Sequence, residues 1–283
     1  MFSPICPYLY IMKQIRQQKN YSQDTISEAK KLFADGDTPY RIEKKLGLSK
    51  GTVYYWIEKN FELVSSNRLI HEFEENGDII FNPSEFFSSE EIKKVYSYIF
   101  AVYLCDGYII EVKRRPGIFK MLFFNDIKYP VNSNCWKDSL QLLVPNNTVN
   151  ITKPSKRNIW LICAYSKLFS KMFPQYGVGK KHTRVLGLQD WQKQIITDYP
   201  REFIKGCIES DGSIYTQTIG KYKYTKYNLT NKSEEIIDMF LYCLGKVGIE
   251  KKKYFHTARD LFTVQNFNKE QTEIMKSIIT TKQ

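Results

Sequence analysis

The chain has 283 residues and a mass of 33.5 kDa, with 42% hydrophobic and 25% charged residues. This balance is ordinary for a folded protein and excludes intrinsic disorder and collagen-like structure, while the length predicts two or three domains. Lys plus Arg number 42 against 30 Asp plus Glu, so the net charge of +12 favours an anionic partner, nucleic acid first, over a plain solvated basic surface. No apolar run reaches the roughly 20 residues of a membrane helix, so we expect a cytoplasmic protein with no membrane partner.

The charge is arranged in three blocks along the chain. Residues 1–60 carry a net charge of +4, residues 61–91 a net charge of −7, and residues 92–283 a net charge of +15. An acidic block between two basic ones is typical of a connector that stays away from a polyanion. We therefore predict domains at 1–60, 90–190 and 191–283, with an acidic linker at 61–89.

Residues 22–60 show three helical patterns. The first runs to Ala34, the second begins behind Thr38 with Pro39 at its first position, and Ser49 caps the third. The order DGDTPYRIEKKLGLSKGTVYYWIEK resembles the helix-turn-helix of resolvases and small transcription regulators, in which the third helix enters the major groove. The resemblance implies that DNA faces Lys50, Gly51, Thr52, Tyr54 and Tyr55. A three-helix bundle without a ligand is the alternative.

Two later segments share one unusual design. Residues 99–107 read IFAVYLCDG and residues 204–212 read IKGCIESDG, each an apolar helical run that ends in Asp-Gly before a β-rich stretch. Small residues lie five and one positions before the aspartate in both copies, and a four-residue spacing puts them on one helix face. Two such helices can pack closely in parallel, which would bring Asp106 and Asp211 together at their carboxyl ends.

Two carboxylates at two helix carboxyl ends favour a bound cation. Neighbouring carboxylates raise one another's pKa unless something positive intervenes, and hard cations such as Mg²⁺ take oxygen ligands. A metal ion held there beside a phosphodiester could activate water. The sequence thus predicts that Asp106 and Asp211 are catalytic and hold Mg²⁺, with Mn²⁺ as a substitute.

These motifs resemble those of the LAGLIDADG homing endonucleases, in particular monomers with two motif copies. Both copies depart from the name-giving letters, with Ala101 at the third position and with Leu104 and Glu209 at the sixth, but the eighth position is Asp in both. The resemblance covers about residues 90–283. It implies an α+β fold of two pseudo-symmetric αββαββα repeats that form a DNA-binding saddle, preceded here by the small all-α domain.

The strand and helix patterns can be matched to this repeat. The second half follows it closely, whereas the first half fits more loosely, with strands near 147–152 and 157–163 and a helix at about 164–173. In this fold the strands lie on DNA, so basic residues on one strand face should contact it. The predicted contacts of the two repeats are Lys113, Arg114, Arg115, Lys120, Lys221, Lys223, Thr225 and Tyr227. For Lys180, Lys181 and Arg184, phosphate contact and a solvated linker charge remain equal alternatives.

The leading hypothesis is a site-specific double-strand DNA endonuclease that acts as a monomer in the compartment of its target DNA. A DNA-binding regulator that has lost cleavage on the same fold and an RNA splicing maturase are the alternatives. Both aspartates are present, which favours the nuclease over the regulator.

Overall fold

The structure, a computed structural model, describes residues 22–48, 52–58, 73–75, 78–155 and 157–279. These residues fall into two compact units, one within residues 22–58 and one within residues 73–279. Within the described ranges, no helix is both long and apolar enough to cross a bilayer.

The first unit contains three short helices, α1 (Gln23–Ala34), α2 (Pro39–Lys45) and α3 (Thr52–Glu58). The hydroxyls of Ser22 and Thr38 cap α1 and α2 by accepting backbone N–H groups three residues ahead. The position predicted to cap α3, Ser49, lies outside the described residues. The core of this unit is formed by Ile26, Ala29, Ile42, Val53 and Trp56.

A buried carboxylate joins α2 to α3. Glu43 is 5% exposed, and its Oε1 accepts the backbone N–H of Val53 at 3.0 Å, in the first turn of α3. A negative charge there stabilises the helix amino end. Gly47, with φ of +63°, allows the left-handed turn after α2. The Glu43 contact therefore ties the first turn of α3 to α2.

The second unit opens with a hairpin of β1 (Phe73–Glu75) and β2 (Asp78–Ile80) and a short helix α4 (Pro83–Phe86), and two copies of one pattern follow. The first copy consists of α5 (Glu90–Asp106), β3 (Gly107–Glu111), β4 (Phe119–Asp126), α6 (Pro130–Leu143), β5 (Asn150–Thr152), β6 (Ile159–Ser166) and α7 (Phe169–Met172). After α8 (Asp190–Asp198), the second copy consists of α9 (Pro200–Glu209), β7 (Gly212–Ile219), β8 (Tyr222–Asn231), α10 (Glu234–Lys246), β9 (Tyr254–His256), β10 (Leu261–Val264) and α11 (Lys269–Ile278).

Each copy contains one antiparallel four-stranded sheet, in the orders β3-β4-β6-β5 and β7-β8-β10-β9. The two orders match strand for strand, so the chain contains the same αββαββα repeat twice. The predicted α+β class with two pseudo-symmetric repeats is confirmed.

The first repeat differs from its prediction near its end. Strand β6 continues to Ser166, where a helix was predicted from residue 164, because Tyr165 and Ser166 pair with Lys120 and Phe119 of β4. The helix that remains, α7, is a single turn.

An aromatic cluster attaches part of the predicted acidic linker to the repeats. The rings of Phe87 and Trp191 stack with centroids 5.1 Å apart, and Phe81 and Tyr96 pack against the same indole. Aromatic contacts of this kind bury large apolar areas. Residues 81–87 are therefore part of the folded second unit.

Candidate active site at the ends of two paired helices

The central feature of the second unit is the contact between α5 and α9. A Cβ placed on Gly206 would lie 2.5 Å from the carbonyl oxygen of Tyr98 and 2.7 Å from the Cβ of Ala101. Only glycine fits such an approach, so the small residues of the two motifs do face each other. The hydroxyl of Ser97 also donates to the carbonyl of Tyr199 across the same interface, at 2.8 Å.

The two motif aspartates lie where these helices end. Asp106 is the last residue of α5, whereas α9 ends at Glu209 and Asp211 follows one residue after its C-cap, Ser210. The hydroxyl of Ser210 donates to the carbonyl of Gly206 at 2.9 Å, in the last turn of α9. Both aspartates are half-buried.

A glycine follows each aspartate and begins the next strand. A Cβ on Gly107 would lie 2.5 Å from the Cα of Tyr103, and a Cβ on Gly212 would lie 2.5 Å from the Cα of Ile208. The chain therefore turns from helix to strand within a space that admits no side chain, and this holds each aspartate at the end of its helix.

The charges of both aspartates act on the same neighbours. Burial lowers the pKa of Lys181 from its usual 10.5 to about 8, and Asp211 and Asp106 oppose that shift. The pKa of the Cys105 thiol is raised by a hydrogen bond to Cys207, then by burial and by both aspartates. The carboxylates from the two repeats thus act on the same lysine and the same thiol.

Lys181 enters this site from the connection between the repeats. Its ammonium donates to the carbonyl oxygen of Gly107 at 2.5 Å and lies 4.8 Å from the ring centre of Tyr103. The position of Lys181 cannot be predicted from periodicity, because residues 174–189 lie outside the repeat pattern. Lys180, Lys181 and Arg184 are equally plausible candidates by sequence. The proximity of Lys181 to the aspartates is decided by the tertiary fold.

A further polar contact orients Asp211. The side-chain amide of Asn231, at the end of β8, donates to Oδ2 of Asp211 at 2.5 Å, and its Oδ1 accepts the N–H of Ser233 at 2.7 Å. Asp211, Asn231 and Lys181 line one pocket together with Lys232 and His182. The amide donor fixes the position of that carboxylate oxygen.

The donor chemistry at this site fits a hard divalent cation. The two carboxylates and the carbonyl-bearing ends of two helices supply oxygen ligands and concentrated negative charge, which is what Mg²⁺ and Mn²⁺ bind. Among the described residues no three His, Cys, Asp or Glu side chains come together as a complete metal site. Any further ligands would have to be carbonyl, amide, water or phosphate oxygens.

The strand β8 places the predicted DNA contacts of the second repeat on one face, the face that packs against helices farther along the strand. Tyr227 is 4% exposed and packs edge-on against Phe267, and Leu229 on the same face is fully buried. The prediction that Tyr227 contacts DNA is therefore wrong, because its strand face is covered by helices. Lys221 and Lys223 are exposed near the hairpin tip, and Thr225 is half-buried.

The opposite face of this hairpin is open. Cross-strand pairs on it join Tyr215 to Lys226 and Gln217 to Tyr224, and Tyr215 and Tyr224 are 50% and 45% exposed. These residues were not predicted from the sequence, because alternation groups residues on one strand face without showing which face is covered. The apolar Leu229 indicates the covered face, since residues at even spacing from it face the helices.

The basic residues of the first repeat are accessible in part. Lys113, Arg114 and Arg115 are exposed in the turn between β3 and β4, where the sequence placed them. Lys120 is half-buried, with its ammonium 5.5 Å from the ring centre of Tyr165 on the neighbouring strand. It lies on the sheet face that is turned away from the helices.

In the first unit, α3 carries two of the predicted DNA-facing residues with described side chains. Tyr54 is 62% exposed, and Thr52 is half-buried. Lys50 and Gly51, and the side chain of Tyr55, lie outside the part of the chain that the structure describes.

Comparison with known proteins agrees with this architecture. A family model described as LAGLIDADG-like domain matches residues 198–280. No curated protein matches the chain by sequence.

Several solved structures resemble the chain at low identity. Mesophilic variants of the homing endonuclease I-DmoI have a TM-score of 0.47 and 14% identity, covering 67% of this chain and 92% of theirs. I-DmoI in complex with DNA and Mn has a TM-score of 0.46 and 12% identity, covering 67% and 98%. Full-length DUF199/WhiA from Thermatoga maritima has a TM-score of 0.45 and 16% identity, covering 68% and 57%.

The family model lies on the second repeat, and the same order of helices and strands occurs in the first. Residues 198–280 therefore resemble a LAGLIDADG-like domain, and the first repeat has the same arrangement of helices and strands.

Proposed function

We propose that this protein is a site-specific double-strand DNA endonuclease that hydrolyses phosphodiesters with a divalent metal ion, Mg²⁺ or Mn²⁺, and that acts as a monomer. The observation that carries the proposal is the common electrostatic site of Asp106 and Asp211 at the ends of two paired helices, with Lys181 beside it. A purely structural helix pair has no need of two half-buried carboxylates and a mostly buried ammonium at its end.

Each part of the site has a chemical task. Asp106 and Asp211 would hold the metal ion, which when bound lowers the pKa of water and stabilises negative charge on phosphate oxygens. Asn231 orients the Asp211 carboxylate through its 2.5 Å hydrogen bond. Lys181 presents a cation whose position is fixed by the Gly107 carbonyl, so it can stabilise the charge that develops on the reacting phosphate.

The open sheet faces would bind the DNA around the site. Tyr215, Tyr224 and Lys226 in the second repeat and the Lys113–Arg115 turn in the first supply hydrogen-bond donors, positive charge and aromatic surface. The phosphate contacts position the duplex, and strand side chains in the groove read the bases. The net charge of +12 supports the same kind of partner.

We assign residues 1–60 to a second DNA-binding element, a helix-turn-helix in which α3 enters the major groove. The exposed Tyr54 on α3 and the Glu43 contact that sets the course of α3 support this role. The acidic stretch would then link it to the second unit, which begins with the β1–β2 hairpin.

The experiment begins with binding, because the target sequence is not known. Duplexes bound by the protein are recovered from a randomised pool in the presence of a chelator, and the recovered sites are incubated with Mg²⁺ or Mn²⁺. We expect metal-dependent breaks in both strands at one position of the site, and no breaks with the variants Asp106→Asn and Asp211→Asn. Asp190→Asn, which changes a fully exposed carboxylate, is the matched control and should cut like the parent.

Binding without breaks in either metal would contradict the nuclease and identify a DNA-binding regulator. Preference for structured RNA over every duplex would identify the splicing helper instead.

A further inference from the structure

One buried side chain joins the two ends of the connection between the repeats. Gln175, near its start, is 3% exposed, and its amide nitrogen donates to the carbonyl oxygen of Gly187, near its end, at 3.0 Å. This bond brings the ends of residues 176–186 together and makes them a compact surface loop. Lys181 lies midway along the loop and reaches back to the carbonyl of Gly107.

A second buried glutamine holds Gln175 in place. Gln192 of α8 is fully buried, and its Nε2 donates to the Oε1 of Gln175 at 3.1 Å. In return, the Nε2 of Gln175 donates to the Oε1 of Gln192 at 2.7 Å, so the two amides form a reciprocal pair. The Oε1 of Gln192 also accepts the backbone N–H of Gln189 at 3.0 Å. The pair therefore binds the backbone at both positions where the connection returns to α8.

Tyr96 joins the amide pair to the first motif helix, α5. Its hydroxyl accepts an N–H of Gln192 at 2.7 Å and donates to the carbonyl of Met172 at 2.7 Å. Burial raises the pKa of Tyr96 well above its usual range, so the hydroxyl keeps its proton and remains a donor. Since a side-chain amide has two N–H donors, every donor of both glutamines is used. The loop is thus tied to the helix that ends in Asp106.

The loop between its joined ends is largely exposed. Val178 is 99% exposed and Val185 is 83% exposed, and Lys180 is exposed as well. Near its end, the N–H of the buried Leu186 donates to Glu235 of α10 at 2.9 Å. A segment with little buried apolar surface takes its course from the contacts at its ends. The place of Lys181 therefore depends on those contacts.

We propose that Gln175 and Gln192 are positioning residues, whose paired amides close the loop of residues 176–186 and so hold Lys181 beside the two aspartates. Both act through Lys181, which would stabilise the charge that develops on the reacting phosphate. The chemical consequence rests on the proposed endonuclease function, whereas the closure of the loop is testable without DNA.

A double variant removes the amide pair with little change in volume. Gln175→Met, Gln192→Met keeps two unbranched side chains of similar length in the same places. Replacement of both partners of a buried polar pair by apolar groups of the same shape is nearly neutral for stability, so we expect a melting temperature close to that of the parent. The single variant Gln175→Met keeps the other contacts of Gln192 and repeats the comparison with less change to the core. Gln194→Met, on the exposed surface of α8, is the matched control.

Limited digestion with trypsin measures the closure of the loop in the absence of DNA and metal. The loop contains three sites for this protease, Lys180, Lys181 and Arg184, and a native segment is cut when it opens. We expect cuts at these sites, identified by mass, to be at least about 10-fold faster in both glutamine variants than in the parent and the control. Equal rates in the parent and both variants would overturn the proposal.

A comparison with Lys181→Met tests whether the glutamines act through the lysine. DNA affinity is measured in chelator at several salt concentrations, with a duplex recovered by the binding selection. Lys181→Met should reduce the slope of log affinity against log salt by about 0.9, the value for one phosphate contact. The double glutamine variant should reduce it similarly, and the two changes combined should cause no further loss, because residues that act as a unit are not additive. Additive losses would show that the glutamines serve the fold alone and would overturn the proposal.

Cleavage rates separate this proposal from the endonuclease itself. In Mg²⁺ we expect the double glutamine variant to cut at least about 10-fold more slowly than the parent, and as slowly with Lys181→Met added, since one oriented electrostatic group is lost in each case. Parent-like cutting by a variant whose loop is open would overturn the proposed positioning. Absence of cutting by the parent, with fast digestion and a shared salt slope in the variants, would contradict the endonuclease and support the positioning of Lys181.

Discussion

Gly206 of α9 packs against Ala101 of α5 so closely that a Cβ on the glycine would lie 2.7 Å from the alanine Cβ. This contact sets the separation of the two helices and with it the separation of the carboxylates at their ends. The geometry of the site is therefore determined by the smallest side chains in the interface.

Gly206→Ala should destabilise the protein by about 1–3 kcal/mol, because backbone atoms of α5 would have to move to accept the new methyl group. Cleavage should fall with it, since the aspartates separate. Gly245→Ala is the matched control: Gly245 lies in α10 with open space around it, so alanine should stabilise by about 0.5–1 kcal/mol. Thermal and urea unfolding measure both changes. Equal stability of Gly206→Ala and the parent would show that the helices tolerate a wider spacing.

Mg²⁺ should stabilise the folded protein through Asp106 and Asp211. A ligand that binds only the folded state at 100 times its dissociation constant adds about 2.7 kcal/mol to the free energy of unfolding. The double variant Asp106→Asn, Asp211→Asn should melt at the parent temperature or above it without metal, because the repulsion between the carboxylates is relieved. It should gain nothing from Mg²⁺, whereas the Asp190→Asn control should gain as much as the parent. A metal-induced rise in the melting temperature of the double variant would place the metal elsewhere.

Lys181 should make the stability of the free protein rise with pH between about 8 and 10.5. Burial lowers the pKa of Lys181 to about 8 in the folded state against 10.5 for the exposed side chain, so the unfolded chain binds the proton more tightly in that window. Lys181→Met should remove this rise and raise the free energy of unfolding at pH 7 by about 2 kcal/mol, allowing for partial exposure. Urea unfolding at pH 7, 8, 9 and 10 provides the measurement. A parallel pH dependence in the parent and the variant would mean that Lys181 is solvated.

The two faces of β8 should respond differently to mutation. Lys226→Ala, on the open face opposite Tyr215, should weaken DNA binding and reduce the slope of log affinity against log salt by about 0.9, the value for one phosphate contact. Lys223→Ala removes an equal charge from the opposite face of the same strand and should have the smaller effect. A larger effect of Lys223→Ala would instead support DNA contact through the strand face that the sequence predicted.

Deletion of residues 1–60 should weaken DNA binding and leave metal-induced stabilisation intact. Loss of two or three phosphate contacts would reduce the salt slope by roughly 0.9 for each. The substitution Tyr54→Ala, at an exposed position of α3, should reproduce part of the loss without removing the domain. Unchanged affinity and salt slope in the deleted protein would exclude a DNA-reading role for these helices.

The helices, the strands and the repetition of their order could be predicted from local patterns in the chain. Helix caps, turn glycines and alternating strands are local signals, so the positions of α1, α2, α5 and β8 followed from residues within a few positions of one another. The repeated small residues and Asp-Gly ends also identified the paired helices and both candidate catalytic aspartates, because equal spacing along two helices implies equal heights when they pack.

The partners of those aspartates come from elements that are distant in the chain and could not be predicted from local patterns. Lys181 reaches the site from a connection without periodicity, and Asn231 meets Asp211 across 20 residues of hairpin. Tyr227 shows the same limit, since alternation fixes which residues share a strand face but packing decides which face is covered. Such contacts are set by long-range packing and hydrogen-bond competition, which leave no regular spacing in the chain.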